Sequence, residues 1–437
     1  MPFNRRDFIH KLGRAAGSLA FASLLNPALA KSLEKEHNRI ARLTPEASAK
    51  DEAFWRFIQQ SYTVSPTILN LNNGGVSPQP KVVQEAFERY TRYCNEGPSL
   101  YMWRFLDLGR QALREKLADL AGCSPETIAI NRNASESLET IIFGMRLEKG
   151  DEVILSKQDY PSMINAWKQR AKRDGIVLKW LNFDMPMEDD DFVVKQYVDA
   201  FTAKTKVAHI THMISWTGQI LPAKKIIDAA RKRGIKSIVD AAHSFAQIDF
   251  KISDLDPDYL GTSLHKWLCA PFGTGMLYVK KENIAELWPM MASSNPEEED
   301  IRKFESLGTR SIAAEQAIAQ AINFHHYIGI ERKQARLFYL KNYWVEKAKK
   351  EIPGIRFYTS MKPEYSCAIC TFYVEGFTNL EINNSLFRDP HRIHVGLVNE
   401  ENLKGVRVSP NVYTLTEDLD RFVRVLKSCL KDKEDRG

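Results

Sequence analysis

The chain has 437 residues, 44% hydrophobic and 27% charged, which is enough to bury a large core in more than one domain and is the balance of a soluble globular protein. Its net charge is +6; four basic residues against one acidic residue in the first 30 leave +3 for the rest, too weak and dispersed for a nucleic-acid surface. Six cysteines show no disulfide framework, and no segment is apolar enough for a stable membrane span.

Arg5-Arg6-Asp7-Phe8-Ile9, an Ala/Gly/Leu-rich stretch from Ala15 to Leu25 and Ala28-Leu29-Ala30 follow the order of a basic region, a mildly apolar run and a small-residue cleavage site. The paired arginines resemble a twin-arginine signal, with His10 where lysine is often found. Residues 1–30 are therefore expected to engage the twin-arginine export machinery and place the mature chain in the periplasm or otherwise outside the cytoplasm. An amphipathic helix with a chance arginine pair is the alternative. Lys31 to Asp51 is expected to be a polar, poorly ordered lead, followed by a short helix at Phe54–Ile58. Asn, Gly and Pro then cluster after an apolar run, from Ile68 to Pro78. This predicts a tight backbone passage in which Asn72 is a candidate substrate contact; a plain turn explains it as well. Helical spacing follows over Lys81–Asn95 and Phe105–Ala121, where Leu106, Leu113, Leu117 and Leu120 share a face. Pro98, Tyr101 and Trp103 lie between them.

From Thr127 onward, strands alternate with helices. Strand-like runs are Thr127–Asn131, Val153–Ser156, Val177–Asn182, Val207–Met213, Ser237–Ala241, Tyr259–Gly261 and Met276–Val279. Amphipathic helical runs such as Met163–Arg173 and Ala223–Arg233 fall between several of them. The alternation predicts an α/β fold with a mainly parallel sheet covered by helices on both faces. Helices at Ala313–Ile328 and Glu331–Ile352 lead to a smaller C-terminal domain. Its expected strands are Cys367–Val374, Ile393–Val398 and Val406–Ser409, and its closing helix is Glu417–Leu430. Cys367 and Cys370 form a C-x-x-C. On a strand, residues three apart point to opposite faces, so they are expected to be core or edge cysteines rather than a redox pair or zinc site. The expected division is a signal at 1–30, an N-terminal segment at 31–85, a large domain at 86–330 and a small domain at 331–437.

Chemistry-bearing residues fall at strand ends. Asn131-Arg132-Asn133-Ala134-Ser135-Glu136-Ser137 joins a strand to an apolar helix. A helix N-terminus with a hydroxyl binds anions, through the Ala134 and Ser135 N–H groups and the Ser135 hydroxyl, although an ordinary serine cap has the same pattern. Tyr160 follows the next strand and is either a stacking ring or a packed aromatic. Asp240 ends the apolar run from Ile235 to Val239, where a carboxylate faces the crevice in which open α/β sheets bind ligands; a helix cap is the alternative. His243, three residues on, is a candidate only through Asp240. Ser263-Leu264-His265-Lys266 lies between Tyr259-Leu260 and Met276-Leu277-Tyr278-Val279. A lysine buried there loses hydration, so its pKa falls and it becomes nucleophilic toward an aldehyde. Lys266 is read as the amine that holds pyridoxal 5'-phosphate (PLP) as an internal Schiff base, with Asp240 beside the pyridine nitrogen. The ring can then take up electrons from the substrate's α-carbon.

These residues, with Gly308-Thr309 and Val406-Arg407-Val408-Ser409-Pro410, resemble the class V aminotransferase family of fold-type I PLP enzymes, in its isopenicillin-N epimerase-like branch, with cysteine desulfurases more distant. The resemblance runs from about Ile68 to the C-terminal helix. It implies a large domain with a mainly parallel seven-stranded sheet and a smaller α+β C-terminal domain. It implies that Lys266 bears the cofactor and shuttles the α-proton, Asp240 pairs with the ring nitrogen, and Tyr160 stacks where several relatives have histidine. Ala134, Ser135, Ser263 and His265 would hold the phosphate, and His243 the ring's phenolic oxygen. Thr309 would complete the phosphate site from a neighbouring subunit, making a homodimer. Ser215 or Trp216 would touch the cofactor, and Arg407 would hold the substrate carboxylate.

The expected function is that of an exported PLP-dependent enzyme acting at the α-carbon of an amino acid or small peptide-like amine, as an epimerase or aminotransferase. The alternatives are an elimination-type C–S lyase and a non-catalytic binding relative. Desulfurases need a nucleophilic cysteine shortly before the carboxylate arginine, and no cysteine occurs from His391 to Lys404.

Overall fold

The computed structural model describes residues 35–36, 38–40, 42–400 and 402–434. The expected export signal at residues 1–30 lies outside them. A short strand, β1 (Leu69–Asn70), precedes seven that share one sheet: β2 (Ile128–Asn131), β3 (Glu152–Ser156), β4 (Val177–Leu181), β5 (Thr205–Thr211), β6 (Lys236–Asp240), β7 (Tyr259–Ser263) and β8 (Gly275–Val279). Their order is β2-β8-β7-β6-β5-β3-β4. β8 runs antiparallel to both neighbours and every other pairing is parallel. The sheet is thus the mainly parallel, seven-stranded one that the resemblance implies.

Except for the edge strand β4, whose Val177 and Trp180 are exposed, the strands read largely as apolar runs because both faces are covered. Alternate side chains enter opposite cores: Ile154, Ile210, Val239, Leu260 and Met276 face one, and Val153, Val207, Ile238, Tyr259 and Leu277 the other. Helices Ala134–Gly144 and Pro161–Asp174 supply Leu138, Ile141, Met163 and Trp167 to the second core. Helix Ala223–Arg231 supplies Ile226 and Ile227 to the first. Asn131, Ser156, Thr211, Asp240 and Ser263 end their strands. Because β2, β3, β5, β6 and β7 run the same way, these five ends share one edge of the sheet.

Helix Ile330–Glu351 leads into the small domain. Its strands are β9 (Ile355–Phe357), β10 (Cys370–Val374), β11 (Ile393–His394), β12 (Gly396–Glu400) and β13 (Leu403–Val408). β12-β13-β10-β9 form an antiparallel sheet that packs, with helix Thr416–Glu434, around Trp344, Phe372, Phe422 and Leu426. β11 pairs with β1 in parallel, and Asn72 bridges to Ser409. The early Asn/Gly turn is thereby stitched to the small domain.

Four sequence expectations change. Lys31–Asp51 is not wholly irregular: Thr44 caps helix Pro45–Ala49, Ile40 is fully buried, and the Trp55 indole donates to the Ser48 carbonyl at 2.8 Å. The helix expected from Phe105 becomes regular only at Arg110; Tyr101–Leu106 is π-helical and Asp107–Gly109 a 3-10 turn. Tyr101 there packs between Tyr93 and Phe105. The expected strand Cys367–Val374 begins only at Cys370, because the Ala368 N–H is taken by the Gln247 side chain at 2.9 Å and Cys367 packs into the large domain's core. Both cysteines are buried and unpaired, and no metal-holding cluster occurs among the described residues. Ile393–Val398 is two strands in different sheets, β11 and β12.

Candidate active site

A cavity of about 340 Å³ opens at the shared edge of strand ends, lined among others by Gly74, Ser135, Tyr160, Asp240, Lys266 and Arg407. Its size suits a small-molecule site, about 300–1,000 Å³, and its position suits the crevice of an open α/β sheet. A larger cleft of about 540 Å³, lined by Glu188, Lys349, Arg356 and Ser360, contains none of the residues singled out from the sequence.

Asp240 and Lys266 reach this cavity from adjacent strands: Asp240 is the last residue of β6, and Lys266 lies in the loop after β7. The Ala242 N–H donates to the Asp240 carboxylate at 2.9 Å. Loss of hydration pulls the Lys266 amine down to about 8; Asp240 opposes this and Arg407 adds to it. Burial pushes the Asp240 carboxyl up, against the Ala242 N–H and Lys266. The Lys266 amine lies 3.1 Å from His243 Nε2 and 5.6 Å from the centre of the Tyr160 ring. His243 is buried and held well below its usual range by desolvation, then by Lys266 and Arg407, so it is neutral at physiological pH.

Beside these lies the N-terminus of helix Ala134–Gly144. Its cap is Asn133, whose side chain accepts from the Glu136 N–H at 2.8 Å, so Ser135 is not the cap. The Ala134 N–H donates to Ser263 Oγ at 2.9 Å, which ties the helix start to the end of β7. Two strand glycines permit this closeness. A Cβ on Gly275 would sit 2.6 Å from both N and Cα of Asn133, and one on Gly261 would sit 2.7 Å from Leu138 Cγ. His265 Nδ1 donates to the Thr274 carbonyl at 3.0 Å, since a carbonyl only accepts; the neutral ring then carries no hydrogen on Nε2.

At the other end, Arg407 on β13 donates from Nη1 to the Ser215 carbonyl at 2.8 Å and from Nη2 to Asn72 Oδ1 at 2.9 Å. Each terminal nitrogen keeps a second N–H. Burial pulls this guanidinium down to about 10. A Cβ on Gly396 would lie 3.0 Å from Asn72 Oδ1 and 3.1 Å from Arg407 Nε, so glycine leaves the pair its room. Tyr160 and Trp216 stack at 6.1 Å and 22°.

Ala134, Ser135, Tyr160, Ser215, Asp240, His243, Ser263, His265, Lys266 and Arg407 all line the cavity. Asn72 joins it through Arg407. Ser215 contributes its carbonyl, while its hydroxyl is buried without a protein partner. Thr309 is exposed and does not line the cavity of its own chain. Sequence reasoning did not single out Asp159. Its buried carboxyl is pushed up to about 7 and accepts from the Thr211 hydroxyl at 2.7 Å, next to Asp240 in the sheet register. It also overlooked Gly261 and Gly275, although a lone glycine in a strand is a sign of close backbone approach.

The residues present fit PLP. A desolvated amine and a carboxylate share one cavity, and strand glycines bring a helix N-terminus against the same wall. The description "aminotransferase class-V" belongs to the family model that matches residues 69–422. An isopenicillin N epimerase of Streptomyces clavuligerus is 28% identical, over 86% of this chain and 98% of its own. A probable cysteine desulfurase of Synechocystis sp. is 26% identical, over 90% of this chain and 98% of its own. The apo structure of a cysteine desulfurase from Thermococcus onnurineus NA1 superposes with a TM-score of 0.75 at 22% identity, over 86% of this chain and 98% of its own, which shows a shared fold.

Proposed function

We propose, for a chain that belongs to the class V aminotransferase family, a PLP-dependent enzyme that acts at the α-carbon of an amino acid or small peptide-like amine by moving a proton there. The cofactor is pyridoxal 5'-phosphate. When bound, it supplies an electron sink for the pair left at the α-carbon. The observation that carries the reading is the meeting of Lys266 and Asp240 in one cavity, with the amine drawn down to about 8.

The residues divide the work by position. Lys266 bears the cofactor and, once free, carries the α-proton, for which an amine near neutrality is suited. Asp240 sets negative charge against the ring nitrogen. The Ala134–Ser135 turn, Ser263 and His265 hold the phosphate, His265 donating from Nε2 only when protonated. Arg407, braced by Ser215 and Asn72, offers its two remaining terminal N–H groups to the substrate carboxylate. Tyr160 supplies a flat face, with Trp216 behind it. Epimerisation or transamination is favoured over persulfide formation, because no cysteine occurs from His391 to Lys404.

Two further parts of the reading rest on other features. Export rests on Arg5-Arg6 and Ala28-Leu29-Ala30; cell fractionation of wild type and an R5K/R6K variant tests it. A homodimer rests on Thr309, away from its own cavity, and on the exposed Leu100, Trp103, Phe105 and Leu108; sedimentation tests it. The reaction is tested by incubating holoenzyme with amino acids in deuterated water. Exchange of the α-proton with no keto acid marks epimerisation, and keto acid marks transamination. Sulfide or ammonia release would replace this reading with elimination, and no exchange or product with any amine would leave a binding protein.

A further inference from the structure

We propose that Trp267 is a positioning residue that locks His243 in its Nε2–H tautomer, so that His243 donates a hydrogen bond to the free base of Lys266 and favours that form over the ammonium. The inference rests on the reading of Lys266 as the cofactor-bearing amine.

Trp267 directly follows Lys266 and is fully buried. Its Nε1–H donates to His243 Nδ1 at 3.4 Å. Indole nitrogen is a donor only, so Nδ1 must present a lone pair. A buried neutral imidazole carries one proton, which is then on Nε2. His243 Nε2 faces Lys266 Nζ at 3.1 Å. Two donors cannot share a hydrogen bond, so the lysine nitrogen accepts, and an accepting amine is a free base.

The backbone on both sides of this relay is pinned. The Gln247 side chain donates to the His243 carbonyl at 2.6 Å, and the buried Lys333 amine donates to the Trp267 carbonyl. The ionisable groups around Lys266 pull in different directions. Asp240, and the Tyr160 ring beneath the amine, favour the ammonium; Arg407 and a protonated His265 oppose it. Desolvation and the tautomer lock act with the second group. Removing the indole donor frees Nδ1 to take the proton. Nε2 can then accept from a lysine ammonium, a charge-assisted bond that raises the lysine's pKa by about one to two units.

The test uses the full chain as wild type, Trp267→Phe, His243→Phe and the double variant, each without cofactor. Two-bond ¹H–¹⁵N correlation of ¹⁵N-histidine-labelled protein reads the tautomer directly; the His243 signals are those that His243→Phe removes. Wild type should show the Nε2–H pattern and Trp267→Phe should lose it. The second readout is the rate of PLP uptake, followed by visible absorbance across the range around the Lys266 pKa of about 8. Its midpoint should move up by about one to two pH units in Trp267→Phe, slowing uptake tenfold or more below it, with equal rates on the alkaline plateau. In the His243→Phe background, Trp267→Phe should move nothing, because no ring nitrogen remains to donate to Lys266 or accept from it.

An unmoved midpoint in Trp267→Phe would overturn the proposal. So would the same shift in the His243→Phe background, or an Nδ1–H ring in the wild type. If Trp267→Phe does not fold, the wild-type tautomer decides alone. A wild type that takes up no PLP at any pH refutes the proposed function and leaves the tautomer result standing.

Discussion

Gly275→Ala isolates the phosphate end of the site. The added Cβ would sit 2.6 Å from both N and Cα of Asn133, where ordinary contact begins at 3.4 Å. Both obstacles are backbone atoms, so the start of helix Ala134–Gly144 must retreat by about 0.8 Å, and overpacking of this kind costs about 1–3 kcal/mol. The same retreat stretches the 2.9 Å bond from the Ala134 N–H to Ser263 Oγ to about 3.7 Å, beyond hydrogen-bonding range. The Ser263 hydroxyl then loses the N–H that orients it, so the phosphate loses that aligned donor, and a hydrogen bond to a charged group is worth about 1.5–3 kcal/mol. PLP should bind about 10- to 150-fold more weakly. The assay is equilibrium titration of cofactor-free chain, followed by visible absorbance, with PLP and with pyridoxal, which lacks the phosphate. Pyridoxal affinity should be unchanged. Equal weakening of both ligands, or of neither, would refute the assignment of this helix end to the phosphate.

Asp240→Asn keeps an acceptor for the Ala242 N–H but removes the charge, so PLP should still bind while α-proton exchange falls by about 100-fold or more, measured by deuterium incorporation. Arg407→Lys loses the paired terminal N–H groups and should raise KM for the amino substrate by about 10- to 100-fold, in steady-state kinetics. The Lys266 pKa is lowered to about 8, so the attacking free amine dominates only above that pH. PLP uptake by cofactor-free chain should therefore fall about tenfold per pH unit below 8 and level off above it, in stopped-flow absorbance.

The large sheet was legible because its strands, the edge strand β4 apart, are largely buried on both faces and read as apolar runs between turns. That Asp240 and Lys266 share one cavity was legible from their places after such runs, although a helix cap explained Asp240 taken alone. What escaped depends on closure across long stretches of chain. The parallel pair β1–β11 brings residues more than 300 positions apart together, and no periodicity encodes it. Asn72 was a candidate only as part of a turn; its bond to Arg407 appears once β13 is in place. Asp159 sits beside Tyr160 in sequence but acts through Thr211 on the next strand of the sheet. Trp267 was given no role from the sequence; it is buried in the core, and its indole N–H meets His243 only because that residue arrives from another strand end. Leu106 fits the apolar face of the helix expected from Phe105, so the change of winding at Tyr101–Leu106 left no mark in that pattern.

The central claim is that one amine, Lys266, carries the cofactor. Borohydride reduction of the purified full chain saturated with PLP, followed by peptide mass spectrometry, tests it directly. One pyridoxyl adduct is expected, on Lys266, absent from Lys266→Ala; an adduct on another lysine, or none, would mean that Lys266 does not carry the cofactor.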